Sequence, residues 1–358
     1  MTLSARRLNR ALLARQLLLA RTKIPVGRAL ERVAGLQAQY APSPYVRLWS
    51  TIEGFSRDNL TSALERRRAV QGTLMRSTIH VVSPRDYWSF AAGVGPSRRE
   101  WWLRTWGRHE SAANVDFVAR ELERSLAGRT WHRTEIDALL PEKSSTVWSG
   151  MWIPLVRVPP SGTWERRRAD LFRLATEWLP SERVTEADGL EHLLRRYLAA
   201  FGPSTLADAA TWSGVARAKL VPVAERIATR TFHDETGRPL IDLPRAPLPP
   251  ETLRAPVRFL GHWDAALLVH ARRTQILPER FRQLVFSTKA PQSIATFLVD
   301  GSVAGAWRVE RTARKATLRV EPFEPLPRAA RDELRAEGEG LVRFHQPDAT
   351  SYAVRSTA

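Results

Sequence analysis

The chain has 358 residues, 43% apolar and 26% charged, which is room for two or three domains with a sizeable core. It carries 55 basic against 37 acidic residues, a net charge of +18, and because lysine occurs five times, fifty of the basic residues are arginine. The absence of cysteine excludes disulfide scaffolds, zinc–thiolate sites and cysteine nucleophiles, and no run of eighteen apolar residues exists to span a bilayer. Compositional bias toward arginine explains why lysine is scarce but not why base exceeds acid, so the charge points to a polyanionic partner, nucleic acid above all.

The first thirty residues contain no acid, and Arg6, Arg7, Arg10, Arg15 and Arg21 punctuate leucines. That pattern suits an organellar transit peptide or a first amphipathic helix. Leu8, Ala11, Leu12, Arg15 and Leu19 fall at helical spacing, Ser4 is placed to cap, and no spacer precedes the next element, so a structural helix in a cytoplasmic protein is expected. A second helix is expected over 26–36. Gln37-Ala38-Gln39-Tyr40 follows it, then a third helix carrying Tyr45, Leu48 and Trp49, and a fourth capped by Ser56. Two β-rich runs, 70–75 and 78–82, close this unit. Several helices followed by a hairpin is the order of a winged helix.

The pattern recurs. Helices over 115–127 and 134–140 lead to a strand, turn and return over 155–164. Helices over 186–201, 205–212 and 215–226 lead to a hairpin whose turn is Asp234-Glu235-Thr236-Gly237. From Pro256 the character changes: 257–260 and 265–269 look β-like or buried, and Asp300-Gly301 between 296–299 and 303–308 suits a type I′ hairpin. A second hairpin has the basic loop Glu310-Arg311-Thr312-Ala313-Arg314-Lys315, and a last helix spans 328–337. The expectation is a helix-rich α+β chain divided at 1–88, 89–185, 186–250 and 251–358, with three winged-helix modules and a C-terminal region rich in β-hairpins. The tryptophans, Trp88, Trp101, Trp102 and Trp212 among them, are expected to pack between elements.

Most catalytic signatures are missing. There is no phosphate-cradling Gly-Lys-Ser/Thr loop, no dinucleotide fingerprint and no Gly-x-Ser-x-Gly elbow. His109-Glu110 lacks a second histidine, and the eight histidines show no ligand spacing, so neither metal nor cofactor is expected. Gly93-Val94-Gly95-Pro96, with Asp116 downstream, imitates the glycine hairpin of helix-hairpin-helix repair enzymes, but an arginine occupies a position where that motif has a small residue. It reads as a loop between helices. His80 reads as a satisfied hairpin histidine. Gln37 and Gln39, two residues apart at a helix end, do not share a helix face, though they can converge on an irregular turn; glutamines there are ordinarily solvated or capping.

The surroundings of these glutamines change their meaning. Gln16-Leu17-Leu18-Leu19, Leu36-Gln37-Ala38-Gln39, Arg76-Ser77-Thr78-Ile79-His80-Val81-Val82-Ser83-Pro84-Arg85-Asp86-Tyr87-Trp88 and Val158-Pro159-Pro160-Ser161-Gly162-Thr163-Trp164 form a set. Phe201-Gly202-Pro203-Ser204-Thr205-Leu206-Ala207-Asp208 and Val299-Asp300-Gly301-Ser302-Val303 extend it. With these segments the chain resembles, over nearly its whole length, the winged-helix DNA glycosylase family of AlkZ and YcaQ type. The resemblance implies three tandem winged-helix domains in a C-shaped arrangement, with hairpins reaching double-stranded DNA. It implies a catalytic Gln-x-Gln or Gln-x-Asp motif, here Gln37 and Gln39, in a monofunctional, cofactor-free, monomeric, nucleoid-associated enzyme. It further implies excision of bulky N7-alkylated purines and unhooking of interstrand crosslinks, as self-resistance to azinomycin-like natural products. The DNA-inserting hairpin is placed at Arg311, Arg314 and Lys315, the most basic hairpin loop. A crosslinked purine cannot rotate into a closed pocket, so both glutamines are expected on an open basic surface. The alternative is a non-enzymatic winged-helix transcription regulator, which leaves the glutamine pair unexplained; an RNA-binding module would need aromatic strand motifs this chain lacks.

Overall fold

In the computed structural model, which describes residues 1–106, 111–140, 151–268, 274–286 and 293–357, the Ser4 hydroxyl caps helix Ala5–Arg15 by accepting from the Arg7 amide at 3.0 Å. His109-Glu110 and Val269 lie outside these residues. Arg15 turns inward as the periodicity requires and is fully buried, its Nη1 donating to Asp242 Oδ1 at 2.6 Å and its Nη2 to Asp242 Oδ2 at 2.9 Å. That pair docks the first helix on the hairpin of strands Arg230–Asp234 and Pro239–Asp242, and strand Thr2–Leu3 adds in parallel to the same hairpin. The arginine-rich amino terminus is thus an integral part of the third module.

The second helix is shorter than its sequence suggests. It spans Val26–Val33 and ends because Ala34 and Gly35 take left-handed φ values of 60° and 79°. Gly35 is required there, since a Cβ would sit 2.7 Å from Val82 Cγ1. The chain leaves this reversal as a strand, Leu36–Gln37, antiparallel to Ile79–Val82. Gln37 therefore stands on a strand, with Gln39 in the bend after it, and neither is at a helix end. Helices Pro42–Trp49 and Arg57–Glu65 follow as expected, the latter with the Ser56 amide donating to Asn59 Oδ1 at 2.7 Å. Strands Val70–Thr73 and Ile79–Val82 close the first module.

The largest departure follows. Pro84–Trp106 is one continuous helix that passes residue 88 without a break and carries Gly93-Val94-Gly95-Pro96 within it. It is neither a loop nor a glycine hairpin. Gly93 meets Gly189 of helix Glu186–Phe201 so closely that a Cβ on Gly93 would lie 2.7 Å from the Gly189 carbonyl oxygen, and the glycines let the two backbones touch. Asp116, on helix Ala112–Ser125, accepts from Trp152 Nε1 at 2.8 Å and pairs with Arg99, which makes it a packing carboxylate. Trp101 is exposed, unlike the buried Trp102 and Trp212.

Helix Arg133–Leu139 and strands Leu155–Arg157 and Leu171–Leu174 complete the second module; the return strand starts at Leu171, leaving Trp164 in the turn. The hairpins of the first two modules fuse into one six-stranded sheet. Its order is Leu36–Gln37, Ile79–Val82, Val70–Thr73, Leu155–Arg157, Leu171–Leu174, Trp131–His132, with Gln71 opposite Arg157 at the seam. Helices Glu186–Phe201, Leu206–Ser213 and Arg217–Arg226 precede the third hairpin as expected. The C-terminal sheet has the order Arg258–Leu260, Thr296–Val299, Ser302–Arg311, Lys315–Pro322, Ser351–Ser356. Asp300 and Gly301 have φ values of 46° and 82°, both positive as a type I′ turn demands. Ala265–Leu268 is helical, the last helix extends over Arg328–His345, and strand Ser351–Ser356, absent from the sequence reading, pairs in parallel with Lys315–Pro322.

One core gathers Tyr87, Phe90, Leu193, Tyr197 and Trp212 between the long helices. A second gathers Tyr45, Leu48, Phe259, Phe297, Trp307 and Leu341 between the first module and the C-terminal sheet. Among the described residues no helix is long and apolar enough to cross a membrane. The tight crossing makes a direct prediction: Gly93→Val lowers stability by about 1–3 kcal/mol through overpacking, read as a lower urea midpoint, and an unchanged midpoint would show slack at the contact.

Candidate active site

Gln37 lies directly opposite His80 in the antiparallel ladder, so the two side chains emerge on the same face of the sheet. Only 7% of Gln37 is exposed. What covers it is Arg76, from the connection between Val70–Thr73 and Ile79–Val82, which takes a left-handed φ of 52°. Arg76 Nη2 donates to Gln37 Oε1 at 2.8 Å, and its Nη1 donates to the carbonyl of Trp212 at the end of helix Leu206–Ser213. A guanidinium has no acceptor, so this bond fixes the amide with oxygen toward Arg76 and Nε2 away from it. Gln39 is exposed, and its Oε1 accepts from the Ile79 amide at 3.3 Å. The Ala38 amide donates to the Ile79 carbonyl at 2.7 Å, so the segment stays fastened to the sheet past Gln37. Gln37 is the last residue of its strand and Gln39 lies in the bend that follows, a geometry unlike the expected helix end. The expectation of an open location holds for Gln39 and not for Gln37, because the Arg76 side chain folds over the latter.

The ionisable groups here are held away from neutrality. Burial, helped by the Arg76 cation, lowers the His80 imidazole to about 3; its Nδ1 is 3.0 Å from the Thr78 carbonyl. Burial lowers Arg76 to about 10, which leaves it cationic at neutral pH. In the sequence Arg76 is one residue of the segment 76–88; nothing in the residue itself announces a side chain that covers an amide.

The residue after Gln39 leads to a second region. Tyr40 stacks edge-on with His262 at 5.1 Å, and its hydroxyl accepts from Arg167 Nη1 at 3.1 Å. These three, with Trp307, Arg308 and Gln346, help line a cavity of about 640 Å³. Gln346 in turn accepts from Arg311 Nη1 at 2.7 Å. Arg311 ends its strand, Lys315 begins the next, and the exposed Arg314 lies between them. None of the three forms an ion pair with a described residue, whereas Arg308 and Arg319 on the same strands pair with Glu310. The tip is braced: the Arg314 carbonyl accepts from the Thr350 and Ser351 amides at 2.9 and 3.2 Å. Thus the structure connects the glutamine segment and the basic hairpin through one cavity wall. Among the described residues no group of three His, Asp or Glu side chains could hold a metal ion.

The sequence model of the family described as AlkZ-like DNA glycosylase matches residues 30–344. No curated protein matches the chain. Among solved structures, the DNA glycosylase AlkZ of Streptomyces sahachiroi shares the fold with a TM-score of 0.82 at 20% identity, each chain covered in full. The fold and the family match define a DNA glycosylase, an enzyme whose substrate is DNA. The chain belongs to the AlkZ-like DNA glycosylase family.

Two buried histidines govern the acid limb of stability. His345 is lowered to about 4 by burial and by the Arg57 and Arg167 cations, as His80 is to about 3. Below about 6.5 the unfolded chain takes up protons that the folded chain refuses, so their contribution is complete above that pH and is lost as pH falls. The melting temperature should therefore drop between pH 7 and 5, and His80→Gln should make that drop shallower; an equally steep drop would place the His80 proton uptake elsewhere.

Proposed function

We propose that the enzyme hydrolyses the N-glycosidic bond of N7-alkylated purines and unhooks interstrand crosslinks made through such purines, with Gln37 and Gln39 as the catalytic residues. The observation that carries this reading is the Gln37 amide, clamped by Arg76 beside a histidine held neutral, with no carboxylate among the described residues bonded to either glutamine. An N7-alkylated purine is already cationic. When the C1′–N9 bond breaks, its electron pair neutralises the leaving base, so no acid is needed to protonate it. The sugar left behind has oxocarbenium character and requires only a placed water, whose oxygen bonds to C1′ and whose proton passes to solvent. Each glutamine Oε1 keeps a second lone pair after accepting one N–H, and can hold that water; each Nε2 has no partner among the described residues and can anchor a phosphate or a second water. Arg76 is a positioning residue: it fixes which end of the Gln37 amide faces outward.

Exposure of Gln39 suits a purine tethered to both strands. Arg311, Arg314 and Lys315, unpaired in ion pairs at a braced hairpin tip, suit phosphate contacts with steep salt dependence. The setting that agrees with crosslink unhooking is self-resistance to a DNA-alkylating natural product such as azinomycin.

The test is release of N7-methylguanine from duplex DNA, scored as abasic sites, beside unhooking of an N7-linked crosslink. Gln37→Ala and Gln39→Ala should bind normally and lose on the order of a hundredfold in base release, and comparable release of uracil or hypoxanthine by the wild type would overturn the restriction to cationic bases. With His80 near 3 and Arg76 near 10, the rate of base release at saturating DNA should be flat from about pH 5 to 9. A bell centred near neutrality would reveal an ionisable catalyst and sink the amide mechanism.

A further inference from the structure

Four buried arginines have carboxylate partners. Arg10 faces Asp300, Arg15 faces Asp242, Arg47 faces Asp264 and Arg258 faces Glu337. Arg157, 9% exposed, has no carboxylate partner among the described residues, and neither has its neighbour Arg98. Both converge on Thr73. Arg98 Nη1 donates to the Thr73 carbonyl, and Arg157 Nη1 donates to Thr73 Oγ1 at 3.2 Å. The Nε atom of each is buried without a hydrogen-bond acceptor. Burial lowers both guanidiniums to about 10, so both are cations at neutral pH, and Arg133 adds a third positive charge toward Arg157. Tyr87, the polar group facing both, is pushed up to about 12 by burial and stays a neutral hydroxyl.

Two buried like charges with unfilled donors are costly in isolation and become favourable once an anion fills the space between them. The space exists. A cavity of about 500 Å³ is lined by Thr73, Tyr87, Gly95, Arg98, Trp152 and Leu155, with Arg157 behind Thr73. We propose that this cavity is a phosphate-binding site in which Arg98 completes its hydrogen bonds on the oxygens of one phosphate group and Arg157, across Thr73, adds the second positive charge. The group is either a phosphodiester of the bound DNA or free inorganic phosphate.

The placement favours the DNA source. Thr73 pairs with Ile79, whose carbonyl accepts from the amide of Ala38, so the row of Thr73 across the sheet ends at Ala38, between the two glutamines. Two strand spacings put Thr73 about 10 Å from Ala38, within the reach of a backbone phosphate beside the nucleotide presented to the glutamines. The site itself is argued from unfilled donors and does not depend on the roles proposed for Gln37 and Gln39; the assignment of its phosphate to DNA rests on that reading.

The test uses the full chain and the variants Arg157→Met and Arg98→Met. In buffer free of phosphate and sulfate, Arg157→Met should melt at or above the wild type, because it removes an uncompensated buried charge. Added inorganic phosphate should raise the melting temperature of the wild type and of neither variant, and Arg157→Lys should recover part of the response. On duplex DNA with or without N7-methylguanine, each variant should weaken binding equally for both duplexes and reduce the slope of log affinity against log salt by about 1. A phosphate response with an unchanged salt slope assigns the site to free phosphate. If both Met variants melt below wild type without phosphate, and phosphate shifts all proteins alike, the guanidiniums are structural and the proposal is overturned.

Discussion

The Arg76 guanidinium holds three parts of the chain in one place. It is half-buried, it has no carboxylate partner among the described residues, and it spends donors on neutral oxygens: the amide of Gln37 and the carbonyl of Trp212. The first lies on the edge strand of the six-stranded sheet, the second at the end of a helix in the third module. The contact is close enough that Gly214, with φ 77°, brings its Cβ position within 3.2 Å of the Arg76 backbone. A side chain there would push the third module off the hairpin, so the left-handed turns at Arg76 and at Gly214 are parts of one joint.

Rigidity around the joint comes from sheet fusion. Had the first two hairpins been free wings, Gln37 would ride on a mobile two-stranded ribbon, which is marginal alone. With Gln71 facing Arg157 across the seam, the strands supporting Gln37 belong to six. A site on a strand is held more exactly than a site on a loop. Much of the arginine excess serves this scaffold, through pairs such as Arg15 with Asp242 and Arg21 with Glu337. The net charge therefore overstates the surface offered to DNA, and cations without carboxylates, as at the C-terminal hairpin tip, are the ones that matter for binding.

What the sequence made legible follows from the range of the forces involved. Caps at Ser4 and Ser56 and the turns at Asp234–Gly237 and Asp300-Gly301 are local, decided by a side chain and the backbone a few residues away. The misreadings share the opposite character. Gly93 and Gly95 look like punctuation, yet Gly93 is there for Gly189, ninety-odd residues on, and helix Pro84–Trp106 continues through both. Helix Val26–Val33 stops early because Gly35 must clear Val82. Strand Ser351–Ser356 exists because Lys315–Pro322 offers it an edge. The glutamine pair could be named from family resemblance, but the clamp on Gln37 could not, because a lone arginine in a hairpin connection looks like any other of the fifty.

The clamp also explains why the two glutamine positions are not equivalent. A carboxylate at position 37 would meet a buried guanidinium at hydrogen-bond distance and be locked into an ion pair, its charge spent and both oxygens turned toward Arg76. An amide gives Arg76 one oxygen and keeps a donor facing the other way. Position 39 is exposed and touches only a backbone N–H, at 3.3 Å. An acid there would keep its charge and one free oxygen, and the backbone donor would tolerate it. The family resemblance implies a motif that is Gln-x-Gln or Gln-x-Asp, variable at its second place and fixed at its first. The geometry supplies a reason: the first residue is chosen by its neighbour on the hairpin, and the second only by what it must hold in solvent.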